Sequence, residues 1–455
     1  MTPLSGPLAP VTFRTKAPGA ATAQVHDLFG RRVVLVRAGA DDDQRGALGS
    51  AASATVTDAA AHALRERLPL VVVVQTSGVD VAEGVSALDG WGRTARAFTA
   101  CSGIVPIVMI VAGPAVSGPA LLLGLADFVI MTEDAYAFVS GPLMIAQFTG
   151  EELTAAELGS AATHARHTGV AALIASDVEV ALELTAALLD YLPDHADEEA
   201  PQRPTDDPID RDTTAAGALV PDTPTGSYDV RKLIAEVVDD GDFLELHDRW
   251  ATNVVTGFAT IGGRPVGVLA NQPISLAGTL DIPSSQKGAR FVSTCDAFNL
   301  PIVTIVDTPG FYPGKDLEWR GMIRHGAQLV FAYGRAQVPR ICLIVRKSYG
   351  GAYIVMDSKR MGNDVCLAWP TAEIAVMGAK QAAEILQRRA TPQERAQFEA
   401  DYESRLLNPY VAAERGFIDA VIDPRTTRHE IARALAGLAS KRERLATRKH
   451  DNSPL

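Results

Sequence analysis

Ile341-Cys-Leu-Ile-Val-Arg-Lys-Ser-Tyr-Gly-Gly-Ala-Tyr353 is an apolar run that ends in two cations and then meets a pair of glycines. A strand apolar on every side chain, here Ile341–Val345, belongs in a sheet covered on both faces. Gly350 and Gly351 let the backbone approach a ligand closely and leave N–H groups unshielded by a Cβ. If a helix opens at this point, those N–H groups stand at its positive end. A pair of such donors is what an enolate or ureido oxyanion needs. Taken alone, Gly-Gly fits a tight turn with close helix packing better than it fits a site.

The same pattern continues on either side. Val266–Asn271 and Ile302–Asp307 are further strand candidates, and Arg231–Val238, Ser284–Asn299 and Gln381–Arg389 have helical composition. The N-terminal half alternates likewise. Strands are expected at Arg32–Val36, Leu70–Gln75, Ile107–Val111 and Phe128–Met131, and helices at Asp58–Arg67 and Val85–Thr99. In that half Ile107–Val111 leads through Gly113 and Gly118 into apolar Ala120–Leu123, as Ile341–Val345 leads through Tyr349, Gly350 and Gly351 into Ala352. The chain therefore reads as α/β, with a ββα-type unit duplicated. Gln202–Ser227, rich in Pro, Asp and Thr, reads as an exposed linker, giving domains at 1–200 and 228–455 joined by 201–227. The basic stretch Ala436–Lys449 is expected to be a surface or subunit-contacting helix.

Composition narrows the function. A chain of 455 residues carries two or three domains, and 47% apolar with 21% charged residues is ordinary for a globular enzyme. A net charge of −12 argues against a nucleic-acid face, although a local cationic patch is enough for a phosphorylated cofactor. Cys101, Cys295, Cys342 and Cys366 show no C-x-x-C spacing, so neither a zinc ribbon nor a disulfide framework is expected, and a reducing cytoplasm is the simplest setting. The opening residues lack a signal-peptide pattern, and no apolar run reaches the ~18 residues of a membrane span. No Ser-His-Asp arrangement, metal cluster or paired carboxylates stand out.

From Val266 to Leu386 the chain is similar, nearly continuously, to the C-terminal half of the carboxyltransferase (β) subunits of biotin-dependent acyl-CoA carboxylases. DTPGF (Asp307–Phe311), IRHGA (Ile323–Ala327), RKSYGGAY (Arg346–Tyr353) and AWPTAEIAVMG (Ala368–Gly378) carry the resemblance by order and spacing. It implies two crotonase-like ββα-spiral domains in tandem. It also implies transfer of a carboxyl from carboxybiotin, held on a partner's carrier, to the α-carbon of an acyl-CoA. Gly351 and Ala352 match the backbone donors for the biotin ureido oxygen, with Gly350 and Tyr353 beside the biotin. The implied partner is a biotin carboxylase and biotin carboxyl carrier α subunit, since no ATP-grasp region or Met-Lys-Met motif is present. The implied assembly is a homo-hexamer in which facing halves come from different subunits, without a metal in this chain. The mechanism needs no side-chain base, because released biotin enolate takes the α-proton.

The N-terminal half resembles the family less closely. Where the family carries Ala-Gly-Gly in its first oxyanion hole this chain has Val116-Ser117-Gly118, so Ser117 and Gly118 are the expected donors to the thioester enolate. The family's Ser-Gly-Gly-Ala-Arg stands as Ser77-Gly78-Val79-Asp80-Val81, which loses the arginine and places an acid where it would repel a CoA phosphate. Val139–Pro142 resembles the family's Val-Thr-Gly-Pro. Ser77, Gly78 and Gly141 are thus assigned to the substrate, together with Ile354, which faces the acyl group by resemblance and is equally readable as a core residue. His325 reads as structural, Asp307 as a turn former, and Arg346 and Lys347 as either anion ligands or strand-end cations. A changed acyl acceptor, a decarboxylase, and an inactive partner subunit of a mixed complex are the alternatives.

Overall fold

In the computed structural model the apolar runs become strands of two sheets, one in each of two compact units, Met1–Glu199 and Ala200–Leu455. Residues 12–13, 20–39, 46–223, 225–441, 443 and 445–454 are described, the first two by their backbone. The first unit contains β1 (Thr12–Phe13), β2 (Ala21–Leu28), β3 (Arg31–Ala38), β4 (Leu70–Thr76), β5 (Ile107–Val116), β6 (Phe128–Thr132), β7 (Tyr136–Phe138) and β8 (Leu173–Ala175). Its strand order is β1-β2-β3-β4-β5-β6-β8, with β7 on β5. β1–β2 and β2–β3 pair antiparallel and the rest parallel.

The second unit repeats this order with β9 (Phe243–Leu246), β10 (Val254–Ile261), β11 (Arg264–Asn271), β12 (Ile302–Thr308), β13 (Arg340–Tyr349), β14 (Val365–Ala368), β15 (Glu373–Ala375) and β16 (Ala420–Val421). Each strand has a counterpart, including β15, which pairs β13 as β7 pairs β5. The register breaks at the same place in both, between Val74 and Thr76 on β4 and between Val306 and Thr308 on β12. The expected duplication is therefore present strand for strand.

Burial explains why these segments are strands. Ile341, Leu343 and Val345 of β13 are buried with Val303 and Ile305 of β12 in one core, and each such side chain contributes about 1.5–3 kcal/mol relative to exposure. In the first unit Val72 and Val74 pack with Met109 and Val111 beneath a helix whose buried face is small, Ala52, Ala59, Ala60 and Ala63. That helix spans Ser50–Glu66, longer than the Asp58–Arg67 expected.

Two expectations are corrected. Gln202–Ser227, expected as an exposed linker, is exposed over more than half of its described residues but belongs to the second unit and is fastened to it. It carries the helix Thr214–Leu219, Thr213 is buried with its hydroxyl donating to Pro424 O at 2.7 Å, and the Arg428 guanidinium reaches Pro208 O at 2.9 Å. Hydrogen bonds hold its polar parts, while Ala216 and Val220 of the helical stretch are buried in the core of the second unit. The helix expected over Ala436–Lys449 is absent among the described residues beyond Gly437, where the helix Thr427–Gly437 ends. Beyond that point only Leu438 and Leu445 are large and apolar, too few for a buried helical face. Lys441 instead bonds Val338 O at 3.1 Å and Asp364 at 2.8 Å.

Candidate active site

The branch strands fix how the two units correspond at the expected oxyanion positions. β5 first pairs β6 and then, with Pro114–Val116, pairs β7; β13 first pairs β14 and then, with Lys347–Tyr349, pairs β15. Pro114, Ala115 and Val116 are thus the counterparts of Lys347, Ser348 and Tyr349. The next three residues are Ser117-Gly118-Pro119 in one unit and Gly350-Gly351-Ala352 in the other, and each triplet leads into a short helix.

In the second unit that helix is Gly350–Val355, so the N–H groups of Gly351 and Ala352 lie in its first turn, where no intrahelical acceptor exists. Gly350 has φ +58°, and a Cβ there would come within 3.1 Å of Val376 O. Gly351 is exposed and its missing Cβ would touch the Phe311 ring at 3.4 Å. A cradle of bare backbone donors fits a small oxyanion such as a ureido oxygen. Ala352 turns its methyl into the core and Tyr353 is half-buried, which pushes its hydroxyl up to about 12. Ile354 is 48% exposed, so it is not a core residue of this unit.

Beside the cradle, β12 ends in a loop with its own lock. The Thr308 hydroxyl and Gly310 exchange two hydrogen bonds of 3.3 Å, and Leu280 bonds the loop on both sides, accepting from Tyr312 N–H at 2.8 Å and donating to Gly310 O at 3.0 Å. The first unit repeats this with Thr76, Gly78, Asp80 and Leu48, at 2.8–3.1 Å. Ser77 and Gly78 therefore occupy the loop equivalent to Pro309 and Gly310. Gly141 and Gly378 correspond as well, each preceding a helix, Pro142–Thr149 and Ala379–Leu386. The fold brings the expected residues of each unit to the same end of its sheet.

Several side chains have roles other than those expected. Asp307 does not close a turn: its carboxylate pairs with Arg346 at 2.9 Å, both nearly buried, and accepts Lys347 N–H at 3.2 Å. The turn is closed by Thr308 instead. Arg346 also donates to Gly226 O at 2.8 Å and lies over the Tyr228 ring at 5.5 Å, which makes it a tether rather than an anion ligand. Burial pushes the Tyr228 hydroxyl far up. Lys347 is half-buried, and burial, with Arg346 next, holds its ammonium below the ordinary lysine range. His325 Nδ1 meets Gln286 at 3.2 Å on the neighbouring helix, in keeping with a structural part. Asp80 caps the short turn that follows it by accepting Ala82 N–H at 2.9 Å.

The Ser117 N–H donates to Phe138 O at 2.9 Å, so it is already committed to the branch strand, and Gly118 provides the first-turn donor in that unit. Sequence reasoning missed that bond because it depends on pairing with a three-residue strand. It also missed Lys287, nine-tenths buried, whose ammonium donates to His247 O, Trp250 O and Val254 O at 3.0, 3.0 and 2.7 Å. A signal was present, since Ser284, Gly288 and Phe291 put this lysine on an otherwise inward helix face. Among the described residues no group of three or more His, Cys, Asp or Glu could hold a metal ion.

The duplicated fold is that of a carboxyltransferase of two crotonase-like domains. The family model for the carboxyl transferase domain matches residues 27–453, and the chain belongs to that family. It is similar to the propionyl-CoA carboxylase beta chain of Roseobacter denitrificans, at 46% identity over 86% of this chain and 78% of that one. It is also similar to the methylmalonyl-CoA decarboxylase subunit alpha of Veillonella parvula, at 41% identity over 90% and 80%. Among solved structures it matches the transcarboxylase 12S hexamer with hydrolysed methylmalonyl-coenzyme A bound, at a TM-score of 0.93 and 40% identity, covering 97% of this chain and 86% of that one.

Proposed function

We propose that this chain is the carboxyltransferase subunit of a biotin-dependent acyl-CoA carboxylase, moving a carboxyl from carrier-bound carboxybiotin to the α-carbon of a short acyl-CoA. The observation that carries this reading is the Gly350-Gly351-Ala352 turn, a glycine cradle at a helix start on the unit whose sequence resembles the biotin side. Bound carboxybiotin supplies the carboxyl group. Gly351 and Ala352 N–H hold the ureido oxygen, Gly350 lets the ring approach, and Tyr353 flanks it. On the other unit Gly118 N–H faces the thioester oxygen, and Ser77, Gly78 and Gly141 shape the CoA side; half-exposed Ile354, on the same short helix as Gly351, limits the acyl group.

The α partner is a biotin carboxylase with a carrier domain, and the working form is a homo-hexamer. Support for assembly comes from apolar side chains left in solvent on the helices that follow Gly141 and Gly378: Leu143 at 72% and Phe148 at 82% in one unit, Ile385 at 62% and Leu386 at 65% in the other. The setting is the cytoplasm, which four buried free cysteines suit. No helix among the described residues is long and apolar enough to cross a membrane.

The test is carboxyl transfer by the purified protein with a biotinylated α subunit, ATP, bicarbonate and acyl-CoAs from acetyl to octanoyl. Product with at least one is expected. Absence of product with all of them, from a folded oligomer and a charged carrier, would overturn the reading. A second reading, removal of a carboxyl from a carboxylated acyl-CoA, is favoured by the decarboxylase relative and is tested by incubating the protein with methylmalonyl-CoA and free biotin.

A further inference from the structure

We propose that Pro119 leaves the acyl-CoA side with a single backbone donor and thereby makes enolate formation the slow step of this enzyme. The inference rests on the function proposed above. The branch pairing places Ser117, Gly118 and Pro119 opposite Gly350, Gly351 and Ala352. On the second unit both positions that hold the oxyanion, Gly351 and Ala352, have an N–H in the first helical turn. On the first unit the counterpart of Ala352 is Pro119, which has no N–H at all. The residue on the other side gives no replacement, because Ser117 N–H is bonded to Phe138 O at 2.9 Å. One residue further on, Ala120 N–H is turned back to Ser117 O at 3.1 Å. Gly118 N–H is thus the one donor that the triplet offers to a thioester oxygen. Its side of the turn is closed by Trp91, whose ring lies 3.7 Å from where a Gly118 Cβ would be.

The two holes then differ by one hydrogen bond to a developing negative charge, and loss of one such donor slows a reaction about 10²–10³-fold. An acceptor whose α-carbon already carries an acidifying group needs less help, so the deficit shows most on simple saturated acyl groups. Pro119 acts by withholding a donor and is a rate-setting residue rather than a catalytic one.

The experiment compares the wild-type subunit and Pro119→Ala in the complete carboxylase complex. The substrates are propionyl-CoA, its α-deuterated form and phenylacetyl-CoA. The expected results are a kcat for propionyl-CoA raised at least about tenfold, a smaller gain with phenylacetyl-CoA, and an α-deuterium isotope effect on kcat that is large in wild type and falls in the variant. A merely structural role for Pro119 would not move the isotope effect. Unchanged or lower kcat in a folded, assembled variant would overturn the inference. If the variant does not fold, the wild-type isotope effect still decides, because a value near unity means the enolate step is not slow. Transfer by wild type with no gain in the variant sinks this inference alone. No transfer by either protein sinks it together with the proposed function.

Discussion

The two units share a backbone and differ in charge at matching places. At the register break β12 carries Asp307, paired with Arg346 of β13 at 2.9 Å. The matching positions on β4 and β5 are Gln75 and Gly113, and a Cβ on Gly113 would press on the Gln75 side chain at 3.0 Å. Six residues into the covering helix, counted from the caps Asp281 and Gly49, the second unit buries Lys287 and the first buries Thr55. What both units keep is the threonine-glycine loop and the turn after the branch. What differs is how each is braced: with buried ions in one, with neutral side chains in the other. Duplication has preserved the geometry that aims N–H groups, while the packing behind it has followed each unit's own needs.

The difference is largest at Arg346. Replacing it with methionine leaves the Asp307 carboxylate buried without its cation and frees the chain at Gly226, which should cost about 3–5 kcal/mol. The double variant Asp307→Asn, Arg346→Met should recover part of that loss, because no charge remains stranded. Urea unfolding of these proteins beside Gln75→Met, which should cost about 1 kcal/mol, checks the contrast. Equal losses at Arg346 and Gln75 would mean the ion pair braces nothing that glutamine does not.

Lys287→Met should cost less, about 2–3 kcal/mol, by leaving carbonyl acceptors without a donor. Its signature is the pH dependence. Burial lowers the ammonium to about 7, below the ordinary 10.5. Between those values the unfolded chain holds more protons than the folded one, so this group makes the fold more stable as pH rises through that window. The wild type should therefore gain on the variant between pH 7 and 9.5, and Thr55→Val in the first unit should show no such trend. A cost for Lys287→Met that is flat with pH would remove the titration from the argument.

How much of this was readable beforehand depends on what each residue answers to. The central strands were legible because burial on both faces requires unbroken apolar runs such as Leu70–Val74 and Ile341–Val345. The branch strands Tyr136–Phe138 and Glu373–Ala375 were not, being three residues long and only partly buried. Their absence from the reading hid the bond that occupies Ser117 N–H, and with it the correspondence of Pro119 to Ala352. Gly351 was legible from its motif and from the freedom a close approach needs. Arg346 was undecidable in sequence, since a strand-end cation looks the same whether its partner is a ligand or Asp307. The polar segment Gln202–Ser227 misled because hydrogen bonds to backbone carbonyls, such as those of Arg428, leave no hydropathic trace.

Ser117 and Gly350 offer a reciprocal exchange with a smaller effect. Ser117 sits at φ +64° and ψ −144°, close to a region that is nearly glycine-only, and its counterpart is a glycine at φ +58°. Ser117→Gly should stabilise the first unit by about 1 kcal/mol, and Gly350→Ser should destabilise the second by at least about that much, with Val376 O crowding the new Cβ. Thermal unfolding of the two variants reads both signs. A loss at Ser117→Gly would mean the serine side chain is held by something stronger than its backbone strain.

The smallest expected effect lies at the start of the covering helix. In the second unit Asp281 caps its own helix in a reciprocal box with Ser284. In the first unit the cap position is Gly49, which has no side chain to offer, and the acceptor is borrowed: Glu83 takes Ser50 N–H at 2.6 Å from 33 residues away. That bond holds the Glu83 carboxyl below its ordinary 4.5. Since the folded value is the lower one, its contribution is complete above 4.5 and disappears as pH falls through the folded value. Glu83 is exposed, so solvent screens the interaction, and Glu83→Gln should cost about 1 kcal/mol or less at neutral pH. The cost should shrink towards zero on acidification. Asp281→Asn keeps an acceptor at its own cap and should cost still less. If Glu83→Gln costs nothing at pH 7, the borrowed cap is a contact without consequence and the first helix starts as well without it as the second does with its own.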